Sequence, residues 1–387
     1  MAPRLRARKG VALITALLAV VIITVMIAGG FFASTQEFRG GRNMLVEQRS
    51  FAVAEYGLNY EISNWDRSRN LNPPTGMLIG RDTSAKRYVS GTDTAFVTIS
   101  RLTPTTFWVV SEGKASMGSS ALESRRRTGA HVRLAYPTIK ADAAVTAAGD
   151  IKMNGASRIT GVNTDPSGWS SCAGFSGGDE IHAIRVPPGA DVDFKAANLP
   201  GTKDVLEDAA AADSNTYVRY GTETWVTLTN NADIRVSGTV GSDILPTGTA
   251  TTCTASNTNW GEPFRVASGG VTLVPGCNYH FPIIYSDGDL RINGKGRGQG
   301  ILLVNGDLTI NGNFDFYGIV IVRDDIEKGV GTATIHGAVF SRDATVGDDS
   351  FWAGTQDVYF SRCAIENALR GSAILTRVKE RHWTQLY

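Results

Sequence analysis

"IIYSDGDLRING" (Ile283 to Gly294), "ILLVNGDLTING" (Ile301 to Gly312) and "IVIVRDDIEKG" (Ile319 to Gly329) repeat one pattern at a spacing of 18 residues. Each has an apolar run, a polar turn and a second apolar stretch. "AVFSRDATVG" follows from Ala338 after 19 residues, and "VYFSRC" from Val358 after 20. A unit this short cannot bury an apolar face alone, so successive units must stack, as the coils of a parallel β-solenoid do. Leu302, Val320, Val339 and Tyr359 fall at matched positions, as do Leu290, Leu308 and Ile326, and these columns are the expected core. Asn293-Gly294 and Asn311-Gly312 mark a corner, where glycine tolerates positive φ and stacked asparagines bond along the axis.

Upstream, "TAAGDIKMNG" (Thr146 to Gly155) matches "YSDGDLRING". A coil is therefore expected there, followed by an insertion at about 156–280, within a solenoid domain over 140–387. The insertion contains a short helix expected at "DVLEDAAAAD" (Asp204 to Asp213) and three tryptophans, Trp169, Trp225 and Trp260, read as core packing or as platforms for a carbohydrate ligand. Asp289, Asp307 and Asp325 share a register. They are turn residues first; the alternatives are a Ca2+ column or general acid/base chemistry. The five histidines form no ligand pattern, His336 stands beside a corner glycine as an exposed imidazole would, and no serine occupies a nucleophile-elbow context. No catalytic residue, metal centre or cofactor is assigned.

Cys172, Cys253, Cys277 and Cys363 lie too far apart for a zinc or redox motif. Their even number fits one or two disulfides in an oxidising compartment, with three complete pairings open, or else buried thiols. Lysine plus arginine (38) balances aspartate plus glutamate (37), so overall charge points neither to nucleic acid nor to a basic partner.

Residues 66–139 read as a small antiparallel sheet: a loop "RSRNLNPPTGMLIGRDTSAKR" (Arg67 to Arg87), then strands at "TAFVTIS", "TTFWVVSEG" and "AHVRLAY", the last with Val132 and Leu134 on one face. "ESRRR" (Glu123 to Arg127) is a solvated strand edge or a phosphate- or lipid-contacting patch.

Before this sheet stands "RARKGVALITALLAVVIITVMIAGGFF" (Arg6 to Phe32). A helix from Val11 to Phe32 rises about 33 Å, enough to cross a hydrocarbon core of about 30 Å. Arg4, Arg6, Arg8 and Lys9 orient it with a cytoplasmic N-terminus and the bulk of the chain exported. After a flexible pair, Gly40-Gly41, a second apolar stripe runs through Phe51, Ala54, Leu58, Ile62 and Trp65, and Gly57 permits close packing. That stripe packs either on a neighbouring subunit or on its own domain.

Lys9-Gly10-Val11-Ala12-Leu13-Ile14 resembles the prepilin peptidase site of type IV pilins and pseudopilins, and "SFAVAEYGLN" (Ser50 to Asn59) resembles the signature after the membrane helix in PilX-type minor pilins. The resemblance covers about the first 65 residues. It implies a leader over 1–10, cleavage between Gly10 and Val11, methylation of the new amino terminus, and a retained helix over 11–65. In that helix Thr15, Phe51, Ala54, Glu55, Gly57 and Leu58 would form the filament-packing face. Val11 and Thr15 stand where major pilins carry phenylalanine and glutamate, which places the chain with minor or initiating subunits. The implied partners are other pilins or pseudopilins, the prepilin peptidase and the inner-membrane assembly platform; the implied location is the inner membrane, then a filament or the cell surface. The expected class is thus α+β: a long transmembrane pilin helix, a small antiparallel sheet and a mainly-β solenoid, in a structural subunit and not an enzyme. The alternatives are a membrane-anchored adhesin that does not polymerise and a β-helix carbohydrate-active enzyme.

Overall fold

The N-terminal apolar sequence forms one helix, α1 (Val11–Ser63), of 53 residues, about 80 Å long. The computed structural model describes residues 11–71, 78–81, 87–90, 93–117, 122–135, 137–153, 156–169, 172, 180–195, 198–221, 223–267, 270–327, 331–341, 350–352, 355–378 and 383–386. Gly10 and the Pro-Pro-Thr-Gly turn lie outside them. Gly40-Gly41, read as a flexible break, stays helical, because helix-forming residues on both sides carry the hydrogen bonding through it.

The second half of α1 lies on an antiparallel sheet. Its strands are β1 (Leu78–Arg81), β2 (Arg87–Ser90), β3 (Asp93–Thr103), β4 (Thr106–Met117) and β5 (Leu122–Ala135). β1 arises inside the stretch read as loop, where Leu78 and Ile79 supply enough apolar character for an edge strand. Val46, Ser50, Val53, Ala54, Leu58 and Glu61 form the buried face of the helix, at steps of three or four residues. They meet Ala95, Val97, Phe107, Val109, Ala130 and Val132, the inward positions of β3 to β5. A Cβ on Gly57 would lie 2.5 Å from that of Ala95 and 2.6 Å from Ser111 Oγ, so only glycine lets helix and sheet approach this closely.

The larger sheet is parallel and curled. The chain runs through β6 (Ala143–Ala147), β7 (Ile151–Met153), β8 (Arg158–Thr160), β9 (His182–Val186), β10 (Val192–Asp193) and β11 (Val205–Glu207). Short helices α2 (Asn215–Val218) and α3 (Trp225–Asn230) flank a small ladder of β12 (Arg219–Tyr220) and β13 (Glu223–Thr224). β14 (Ile234–Val240) follows, and the repeat then supplies β15 (Ile283–Ile292), β16 (Gly296–Val304), β17 (Leu308–Ile310), β18 (Phe314–Val322), β19 (Ile326–Glu327), β20 (Thr332–Ser341), β21 (Ser350–Trp352) and β22 (Thr355–Phe360).

The register follows the 18-residue repeat. Ile284, Leu302, Val320 and Val339 stack in one column, and Leu290, Leu308 and Ile326 in another. Tyr359 is not in the first column: it pairs with His336, and the place beyond Val339 is taken by Val145 of β6. The strand earliest in sequence therefore stacks on one of the last, and β8 likewise pairs with β22. Residues 156–280, read as an insertion, contribute β8, β9, β11 and β14 to the same sheet. "DVLEDAAAAD" is the strand β11 and one 3-10 turn capped by Asp208, because Val205 and Leu206 extend the ladder beside β9. Positive φ within β16, β18 and β20 falls at Gly300, Gly318 and Gly337, at 116°, 142° and 149°, and not at Gly294 or Gly312 of the Asn-Gly corners. Gly300, Gly318 and Gly337 stack in register.

Helix α4 (Arg362–Gly371), capped by Ser361, packs on β16, β18 and β20. β23 (Ile374–Arg377) and β24 (Trp383–Leu386) then return to the antiparallel sheet and pair with the two halves of β5. Asn70 helps to fasten the two sheets together. Asn70 Nδ2 donates to the carbonyls of Arg370 (3.0 Å), Gly371 (3.2 Å) and Ala373 (3.0 Å), while its own oxygens accept from Trp65 Nε1 and Arg101.

Candidate assembly surface

Among the described residues, the first part of α1 stands clear of the rest of the chain. From Ala12 to Leu45 nearly every side chain is exposed, including Leu13, Ile14, Met26, Phe31 and Phe32. Its most apolar window has a mean hydropathy of 2.7 and none of it is buried, so the helix is long and apolar enough to cross a membrane. The three threonines of this segment are satisfied locally. Thr15 Oγ1 donates to the Ala12 carbonyl (3.1 Å), Thr24 to Val20 (2.7 Å) and Thr35 to Phe31 (2.7 Å), which removes the cost of placing hydroxyls in an apolar medium.

Two features of this surface escaped the reading of the sequence. Phe38, Met44 and Leu45 are exposed beyond the length a membrane needs. Gly29, Gly30, Gly40 and Gly41 have nothing within 4 Å of where a Cβ would stand. Each costs a helix about 1 kcal/mol relative to alanine, and no contact within this chain accounts for them.

The residues assigned to filament packing divide differently. Thr15 is on the exposed segment; Ala54, Gly57 and Leu58 are consumed by the chain's own sheet, and Phe51 and Glu55 are half-buried at its margin. Ala54, Gly57 and Leu58 are thus packed on the chain's own domain.

The other candidates serve structure. Asp289 Oδ1 accepts from the Asp307 N–H (3.1 Å), and Asp307 Oδ1 from the Asp325 N–H (2.9 Å), so the carboxylate column links successive repeats. Burial pushes the Asp307 carboxyl up, with Asp289, Glu327 and Asp324 adding to the effect and the Asp325 N–H opposing it. Among the described residues, no group of three or more His, Cys, Asp or Glu is placed to hold a metal ion. Asn311 Nδ2 donates to Asn293 Oδ1 (2.8 Å), as expected of the corner.

All three tryptophans of residues 156–280 are buried, with Trp169 Nε1 bonded to the Pro263 carbonyl (2.7 Å) and Trp260 Nε1 to that of Asn257 (2.9 Å), so none is a sugar platform. The disulfides are Cys172–Cys363 and Cys253–Cys277. His336 is not an exposed corner imidazole: it is half-buried in a stack between Tyr317 (4.3 Å between ring centroids) and Tyr359 (5.4 Å). Of the "ESRRR" arginines, Arg125 and Arg127 pair with Glu112, Arg125 also with Glu123, and Arg126 with Glu47.

No protein-family model matches the chain, and no curated protein does. Among solved structures the chain is similar to the competence-associated pilin ComZ from Thermus thermophilus, at 14% identity over 89% of this chain and 97% of that one, with a TM-score of 0.25. A likeness at that score carries no inference about this chain.

Proposed function

We propose that this chain is a structural subunit of a type IV pilin-like filament, of the PilX-like minor kind. It is processed between Gly10 and Val11, held in the inner membrane by α1, and incorporated through the exposed part of that helix. The curled parallel sheet is the β-solenoid head it displays. Its work is assembly, with the other pilins and the membrane platform as partners and without turnover of a substrate. The observation that carries the reading is the exposed run of α1 with its four open glycines. Small residues with empty space around them let another helix backbone approach closely, a source of attraction between helices within lipid at Gly29 and Gly30 and a close-packing surface beyond it at Gly40 and Gly41. Thr15, bonded to its own helix, offers no charge to a neighbour's amine, which favours a minor or initiating place over a repeating one.

A photo-cross-linking residue at Met44, beyond the membrane length, tests this. The expected result is a mature chain beginning at Val11 that gives adducts with subunits carrying a similar N-terminal helix. Adducts with lipid alone would overturn the proposal and leave an anchored binding protein.

A further inference from the structure

The outer face of the antiparallel sheet, turned away from α1, carries chemistry that assembly through the helix does not use. Trp108 on β4 stands opposite His131 on β5, with Gly129 and Arg133 the next outward positions on either side. A Cβ on Gly129 would lie 2.6 Å from Trp108 Cζ2 and 2.8 Å from Cη2, so the indole lies across the glycine. His131 meets the ring edge-on, with centroids 4.4 Å apart and planes at 85°. Trp108 is only half-buried, and among the described residues His131 is the one ring against it. Glycine inside a strand weakens it, and here it seats a flat aromatic on the surface.

Cations outnumber carboxylates on this face. Lys114, Arg125 and Arg127 share two carboxylates, Glu112 and Glu123. Arg133 is exposed, two positions from His131 on the same face, and has no ion pair among the described residues. A chain with a formal net charge of +1 thus gathers a surplus of cations beside an aromatic platform. A sugar ring stacks its C–H face on an indole, and a guanidinium binds a carboxylate through two parallel hydrogen bonds.

We propose that this face binds an acidic polysaccharide, a polymer of uronic acids, with Trp108 stacking on a sugar ring and Arg133 pairing with its carboxylate. The site is independent of incorporation into a filament. The full chain in detergent micelles is tested for retention by polygalacturonate, by neutral dextran and by single-stranded DNA. Polygalacturonate should retain the chain and dextran should not. Trp108→Ala should weaken retention at least about 10-fold, and Arg133→Gln should weaken it several-fold and flatten its salt dependence. Because removing Trp108 uncovers Gly129, unfolding midpoints are measured alongside; Arg133→Gln, at an exposed position, keeps the fold and the test intact. The proposal falls if polygalacturonate does not retain the wild-type chain, or if Arg133→Gln leaves its affinity within twofold. It falls also if single-stranded DNA is retained as tightly as polygalacturonate.

Discussion

Removing the Cys172–Cys363 bridge should destabilise the chain more than any other single covalent change. The two cysteines are 191 residues apart in sequence, whereas Cys253 and Cys277 are separated by 24. Cross-linking restricts the unfolded chain roughly as 2.1 + 1.5R ln n cal/mol/K, so the long loop is worth about 18 cal/mol/K, or about 5 kcal/mol at 25 °C, and the short one about 3.5 kcal/mol. Cys172 and Cys363 are both buried, and the helix that carries Cys363 packs across three strands of the parallel sheet. The bridge therefore ties the segment after β8 to the C-terminal helix, where the sheet joins strands distant in sequence. Urea unfolding of the detergent-solubilised chain, followed by tryptophan fluorescence, measures both losses. Cys172→Ala with Cys363→Ala should cost about 1.8 kcal/mol more than Cys253→Ala with Cys277→Ala. An equal or smaller loss would refute the reasoning, because the loop lengths would then not be what separates the two bridges.

Acid should weaken the parallel domain through His336. Burial in the ring stack lowers its pKa to about 4, while in the unfolded chain it titrates near its ordinary value of 6.5. The folded form thus prefers the neutral ring. That stability is complete above about pH 6.5 and is lost as pH falls toward 4, a change of about 3 kcal/mol. His336→Phe keeps the stack and should abolish this part of the pH dependence, read from urea midpoints at pH 7 and pH 4.5. Beneath the loop after Trp260, Glu262 is fully buried and takes two hydrogen bonds of 2.7 Å from Arg297 and two more from the backbone N–H groups of Phe264 and Val274. Glu262→Ala leaves that guanidinium buried and unpaired and should cost about 3–5 kcal/mol in the same assay.

The parts of this fold legible in the sequence are those where pattern and neighbour coincide along the chain. Ile284, Leu302 and Val320 stack as their spacing predicts because β15, β16 and β18 come from consecutive repeats. The inward alternation of β3 to β5 was legible for the same reason. Tyr359 was misplaced because the column beyond Val339 is completed by Val145, nearly 200 residues away, and no local period announces such a substitution. β23 and β24 went unseen because strands of four residues carry too short an alternation to stand out. Trp169 and Trp260 stand among serines, glycines, asparagines and threonines, where the sequence leaves core packing and a sugar platform both open. Their burial depends on the Pro263 and Asn257 carbonyls that receive their N–H groups, which only the folded loop brings into place. Of the assembly surface, the apolar run was plain, but the emptiness around Gly40 and Gly41 is a property of space and not of composition.

The pairing of β6 with β20 sets a timetable for this polypeptide. A ribosome releases Ala143 to Ala147 long before Val339 to Ser341, so an apolar strand must wait with an open edge while most of the protein is still being made. Such an edge is a template for misassociation, and closing it late is a slow, long-range event. A product that stops short of β20 would never cover it. Premature termination anywhere upstream of Thr332 should therefore yield a sticky fragment fit for degradation, not a smaller working protein.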